Sequence, residues 1–581
     1  MIAVFFDALL YAATVKVLSL GSREFGLYNL AGGAWLVLGG WMAATAAGPL
    51  VGAPAPVRPW VFALFLLPAL LQVAAPLVLG NKIAILRDSP LVYLFITLGI
   101  ALVILSVGPG LLLENFGDTI PIQQGWWGWL FLALCSALVA GVVYRVFNGR
   151  RWARLVIDFR VAQPGNRLPL RLSALLMLEL VLLLVLGAAG YQVHKGIFQT
   201  AEYRTVIPVL CLAIFSSSPG RAALLSFVIV AGSHLLDAWV PPLTGYSIPV
   251  AIAALIIAVL VRNLPRETVV DNNATAPAPQ RSLSPGEDSV VVGAVIFTVL
   301  TFFATLALSW SSEVLLLHRT LLVAVIVTVS WIAQRHLGVL SIAWPVLATV
   351  AVYVVEALEG RPFYMAATII LGAAAWACYV LTLRLLSKES ALVVDLSVVI
   401  CIHHVVLNST AIAGATNVKL LSYSAPSWGV ITLQVALVIT SLGLLYWANR
   451  DGVWRGSALG LVNFKLGNFH GVSVVPVFVG TAGALALVAI ISTVGYHVLP
   501  TPVSPDELSM AAGLSVLLIG NFMHIKGPAP GFLVVFLVYG LMGALLVGRG
   551  ILSGAAVGLA FVSFVLFTEL FRASRRYAKT A

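Results

Sequence analysis

Apolar runs of about 20 residues recur along the whole of this chain, each long enough to cross a lipid bilayer as a helix. A water-soluble fold has no place for so many, because a soluble domain devotes roughly a quarter of its residues to charge. Here 61% of the 581 residues are hydrophobic and only 9% are charged, with a mean hydropathy of +1.04. The runs are continuous, unlike the short alternating segments of a membrane barrel. The sequence therefore predicts an all-α, polytopic helical membrane protein. Candidate spans in the first half are 3–19, 27–48, 60–80, 91–113, 126–147, 171–190, a broken region 205–236, and 247–262. The second half offers 290–310, 314–332, 338–358, 364–386, 391–413, 427–447, 472–495, a broken region 509–547, and 549–571. If each broken region crosses twice, the chain makes about 19 transmembrane crossings.

The few charges are gathered. Tyr144 to Arg171 holds seven arginines and one acid, Asp158. A strongly cationic loop between apolar spans stays in the cytoplasm. A weaker copy, Asn449 to Gly471, follows about 300 residues later. Trp152 answers to Trp454, and Val156–Val161 answers to Leu461–Leu466 in the same hydropathic order, with Lys465 at the place of Arg160. The positive-inside rule alone would account for the charge; the shared tryptophan and six-residue core go beyond it. The net charge of +11 implies no nucleic acid, since no basic face is interleaved with exposed aromatics. The four cysteines lie in apolar spans without CxxC spacing and read as packing residues. The N-terminal stretch lacks a basic n-region and carries Asp7, so it reads as a retained first helix.

The halves correspond along their length. Arg23–Ala31 matches Arg335–Ala343, Ser89–Val92 matches Ser390–Val393, and the two helix breaks, at Ser216–Arg221 and His524–Pro528, keep the same order at offsets of about 300 residues. Between them, residues 263–289 form a Pro-rich polar linker of flexible composition. Counting crossings puts both cationic loops, the linker and the C-terminal tail on the cytoplasmic side, with the N-terminus outside. A second copy in the same orientation needs one additional helix, and residues 290–311 supply it. The repeats, 1–262 and 312–581, are thus parallel, related by an axis along the membrane normal.

Leu27–Gly40, with Ser89–Leu91 and Ile96–Leu102, resembles the early helices of permease subunits in ABC importers for branched-chain amino acids. Gly149–Arg154 is similar to the cytoplasmic coupling loop of that family, and Ser217–Gly220 to its helix break. In the second half Lys388–Leu392, Gly456–Gly467 and Ile525–Gly531 carry the likeness more faintly. The family usually has His where Gly32 stands, and Ser341–Pro345 replaces the early Asn-Gly motif in the second half. The resemblance implies two permease subunits fused in tandem in the cytoplasmic (inner) membrane. Its partners would be two cytoplasmic ABC ATPase subunits, an extracytoplasmic solute-binding protein and the lipid bilayer. The chain would not itself be an enzyme and would need no cofactor; it has no Walker A sequence.

On this resemblance the coupling residues are Arg150, Arg151, Trp152, Arg154 and Asp158, with Trp454, Arg455 and Lys465 in the second loop. The polar candidates for the translocation pathway are Asn29, Thr97, Asn115, Ser341, His403 and Asn408; such groups also serve simply to bond neighbouring helices. His403 and His404 point about 100° apart on a helix, which is poor ligand spacing, so no metal is expected. Asp237, Glu313, Glu356, Glu359 and Asp395 are the acids considered for a proton or ion site, all near span ends. Two other classes remain open. An ion-coupled secondary transporter would require a paired acid or cation at the midplane. A lipid-linked glycosyltransferase would require an acidic pair or metal cluster in an outer loop, for which Asp506–Glu507 and Glu114 with Asp118 are the candidates.

Overall fold

The computed structural model describes residues 2–47, 63, 65–79, 126–161, 168–191, 219–240 and 361–383, together with Tyr93, Ile96, Thr97, Ile100, Ala101, Ile104, Leu358, Val394, Asp395, Val398, Ala482 and Ala486. No strand occurs among them. The helices are α1 (Ile2–Phe25), α2 (Gly32–Ala47), α3 (Leu66–Leu79), α4 (Trp126–Phe147), α5 (Arg150–Val161), α6 (Leu168–Tyr191), α7 (Pro219–Trp239) and α8 (Pro362–Leu383). Among the described residues five stretches, in α1, α4, α6, α7 and α8, are long and apolar enough to cross a membrane. The chain divides into two compact units, Met1–Ala251 with Leu545–Ala581, and Ile252–Ala544. Helices α1–α7 lie in the first and α8 in the second.

The end of α1 is set by one glycine. Gly26 adopts φ 64°, a left-handed conformation open to glycine at little cost. Its N–H returns to the Ser22 carbonyl at 3.1 Å, and Leu27 N–H to the Gly21 carbonyl at 3.1 Å, satisfying last-turn carbonyls. Residues 26–31 are then non-helical, where the sequence predicts the start of a span at 27. Asn29 organises the restart: its Oδ1 accepts the Ala31 N–H at 3.0 Å, and Trp35 N–H bonds to the Ala31 carbonyl at 2.9 Å.

Helix α1 packs against α4, α6 and α7, while α2 and α3 pack on α6. The α2–α6 crossing is built from glycine. A Cβ at Gly187 would land on the Leu36 carbonyl, and one at Gly39 on the Leu184 carbonyl. Small residues of this kind let helix backbones meet in a membrane, where apolar side chains gain little by leaving lipid. Gly32 meets a side chain instead: a Cβ there would be 2.6 Å from Leu18 Cδ2.

Helices α1 and α4 run parallel. Phe6 meets Trp129 near their starts, centroids 4.8 Å apart, and Arg23 lies 5.9 Å from the Phe147 ring near their ends. Leu130, Phe131, Leu134 and Leu138 of α4 are exposed, while Leu132, Ser136, Val139 and Val143 are buried. A contiguous apolar stripe of that kind suits lipid rather than water. Trp126 and Trp127 stack at the exposed start of α4, and aromatic residues favour the ends of membrane spans.

Helix α7 begins at Pro219, within the break at Ser216–Arg221. Proline is favoured at a first helical position because it lacks an N–H that would find no partner there. The second broken region, the linker and residues 290–311 lie outside the described residues.

Candidate functional site

Two features meet at the end of α1. The first is α5, the helix formed by the cationic loop. Its apolar residues Trp152, Leu155 and Phe159 recur at helical spacing and are all buried. They close on Phe25: the Phe25–Trp152 centroids lie 5.3 Å apart and Phe25–Phe159 5.1 Å, both edge-on, with Phe147 4.7 Å from Trp152. Each such pair contributes about 0.5–1.5 kcal/mol beyond the area it buries. Arg160 adds an ion pair to Glu24 at 2.6 Å, and Asp158 accepts from Arg171 at 3.1 Å, at the start of α6. Both arginine side chains are well exposed, so each pair contributes at most about 1 kcal/mol. The aromatic cluster therefore holds α5 against the bundle.

The opposite face is free of those contacts. Arg150, Arg151 and Arg154 are exposed. The turn before them is closed by Gly149, whose carbonyl accepts the Trp152 N–H at 2.9 Å. Of the residues expected in the first coupling loop, the three arginines form an outward surface. Trp152 is the buried anchor of that surface, and Asp158 ties the helix to α6.

The second feature is a buried polar network just beyond Gly26. Asn29 Nδ2 donates to Glu179 Oε1 at 2.7 Å, and both residues are fully buried. Thr97 spans the same break: its Oγ1 accepts the Leu30 N–H at 3.0 Å and donates to the Tyr28 carbonyl at 3.2 Å. Beside it, Trp35 Nε1 donates to Gln72 Oε1 at 2.7 Å, and Gln72 Nε2 to the Tyr93 hydroxyl at 3.3 Å. Tyr93, Ile96, Thr97, Ile100, Ala101 and Ile104 are all buried at helical spacing, so Thr97 and Tyr93 reach the network from one helix face.

The structure thus brings together Asn29 and Thr97 from the expected pathway set and adds Glu179, Gln72 and Tyr93. Glu179 lies in the interior of the apolar span Leu168–Gly190. A carboxyl group placed so far from either end of a span was the available signal. Asn115, Ser341, His403, Asn408, Trp454, Arg455 and Lys465 lie outside the described residues, as do Glu313, Glu356, Glu359 and the side chain of Asp237. Asp395, expected near a solvated span end, is instead fully buried and accepts the Tyr379 hydroxyl at 2.9 Å. The phenol supplies a donor that water would supply at an exposed end.

Comparison with protein-family models, with curated proteins and with solved structures finds no match to this chain. The long apolar helices and their lipid-suited faces are those of a multi-pass α-helical membrane protein.

Proposed function

We propose that this chain is the fused permease of an ATP-binding-cassette importer. It would carry branched-chain amino acids or a similar small polar solute inward across the cytoplasmic membrane, using two cytoplasmic ATPase subunits and an external solute-binding protein. One observation carries the reading. Helix α5 presents Arg150, Arg151 and Arg154 outward and is fixed from behind by Trp152, Leu155 and Phe159. Charge on a rigidly held short helix suits docking onto a partner, because little order is lost on binding. Glu24 and Phe25 contact α5, and the chain then passes through Gly26 to Asn29. A push on α5 is therefore delivered next to the buried polar network.

The test is to extract the tagged chain in mild detergent from its native membranes and identify what accompanies it by mass spectrometry. Stoichiometric ABC ATPase subunits are expected. A chain recovered alone that still moves solute in proteoliposomes without ATP would overturn the proposal. That outcome would favour the second reading, an ion-coupled secondary transporter, which one observation supports: Glu179 is an acid buried well inside a span.

A further inference from the structure

We infer that the exposed face of α4 binds an anionic glycerophospholipid, an acyl chain lying along the apolar stripe and the phosphate held at Tyr144 and Arg145. Trp127, Phe131, Leu134, Leu138, Gly141 and Arg145 follow one another at steps of four and three residues, and all are exposed. That spacing puts them on one side of the helix. From Trp127 to Arg145 the helix rises about 27 Å, close to the roughly 30 Å of a bilayer's hydrocarbon core. The stripe thus runs from an aromatic end to a cationic end within the depth of a membrane. A Cβ at Gly141 would meet nothing within 4 Å, so no described residue covers the face one turn before Arg145.

The charge at the end of the stripe is unanswered. Arg23 and Arg160 both turn to Glu24, at 3.5 and 2.6 Å, and Arg171 to Asp158 at 3.1 Å. Arg145 has no such carboxylate among the described residues. Arg150 and Arg151 add positive charge immediately after the Asn148–Gly149 turn that ends α4. A guanidinium matches a phosphate with short, charge-assisted hydrogen bonds. Tyr144, 66% exposed, sets an apolar ring beside the stripe and a hydroxyl at its polar end, as amphipathic side chains do where lipid meets water.

Charge and depth choose the ligand. A zwitterionic headgroup would bring its own cation into a field that is already positive, which favours a lipid of net negative charge. An acidic protein segment would have to cover the same stripe at membrane depth, where carboxylates are costly. Binding at this face requires only that α4 spans a bilayer. It involves neither the ATPase subunits nor a transported solute, so its failure is separable from failure of the importer reading.

The experiment uses the full chain in vesicles of equimolar phosphatidylglycerol and phosphatidylcholine. Leu138→p-benzoylphenylalanine places a photoreactive ketone on the stripe about 10 Å along the helix from Arg145. Irradiation joins it to a neighbouring C–H bond, and mass spectrometry counts the adducts. Phosphatidylglycerol should exceed phosphatidylcholine by about fivefold, equivalent to about 1 kcal/mol. Adding Arg145→Gln should bring the ratio close to one, and Arg145→Lys should keep most of the preference. Arg171→Gln, which removes an arginine already paired with Asp158, should leave the ratio unchanged. Equal labelling of the two lipids before any arginine is changed, undiminished preference in Arg145→Gln, or adducts with protein in place of lipid would each overturn the inference.

Discussion

Asn29 donates its side-chain amide to Glu179 at 2.7 Å, joining residues 150 positions apart at the point where α1 gives way to α2. Each group is the other's described side-chain partner, and both are fully buried. Replacing Asn29 by Ala or Glu179 by Leu should destabilise the protein by about 1–3 kcal/mol, because either change leaves a buried polar atom unpaired. The double variant should be milder than the sum, with a coupling of about 0.6–1.7 kcal/mol, the range found between membrane helices. Detergent unfolding of the four proteins measures the cycle; strict additivity would show that the contact contributes nothing specific.

The aromatic anchor and the arginine surface of α5 should separate by mutation. Trp152→Ala removes a buried indole from between Phe25 and Phe147 and should cost about 3 kcal/mol. It should also loosen α5 and speed tryptic cleavage at Arg150, Arg151 and Arg154. Arg160→Ala, which breaks an exposed ion pair, should shift stability by less than about 1 kcal/mol. Equal effects from the two variants would mean that the ion pair, and not the ring cluster, fixes the helix.

The glycine crossing of α2 and α6 predicts a steric effect with no chemistry in it. Gly187→Val would force side-chain atoms into the Leu36 carbonyl and should destabilise by about 1–3 kcal/mol or prevent stable accumulation. Gly141→Val, on a helix where a Cβ would meet nothing within 4 Å, should be tolerated. Fluorescence-detected size-exclusion after heating compares the two directly.

A polar relay lies beside the break. Gln72→Leu leaves the Trp35 indole N–H without its acceptor and should cost about 1–3 kcal/mol, whereas Tyr93→Phe removes only a 3.3 Å bond and should cost no more than about 1.5 kcal/mol. Reversal of that order would contradict the assigned donor directions.

Much of this arrangement was legible in the chain. Span 126–147 coincides with α4, and the arginines of the cationic loop lie exposed on a helix, α5, that charge alone does not announce. Trp152 belongs to the expected docking contacts, but its spacing to Leu155 and Phe159 marks a buried stripe, and the structure seats it behind the exposed arginines. Asn29 and Thr97 were recognisable as polar groups in apolar surroundings, but their meeting depends on the Gly26 turn and on register between distant helices, which no local pattern encodes. Glu179 is inconspicuous in the sequence because one carboxyl scarcely dents the hydropathy of the leucine-rich run around it. The close α2–α6 approach was similarly hidden, since Gly39 and Gly187 differ from other glycines only by what faces them.

The most direct test of the importer reading is retention of the ATPase subunits by a charge-reversed α5. The full chain carrying R150E, R151E and R154E should keep the wild-type unfolding temperature, since those side chains are exposed. It should lose the ATPase subunits that co-purify with the wild type, and with them ATP-dependent uptake. A folded variant that still recovers the ATPases at wild-type stoichiometry and still transports would contradict the claim that this helix is where the membrane domain is driven.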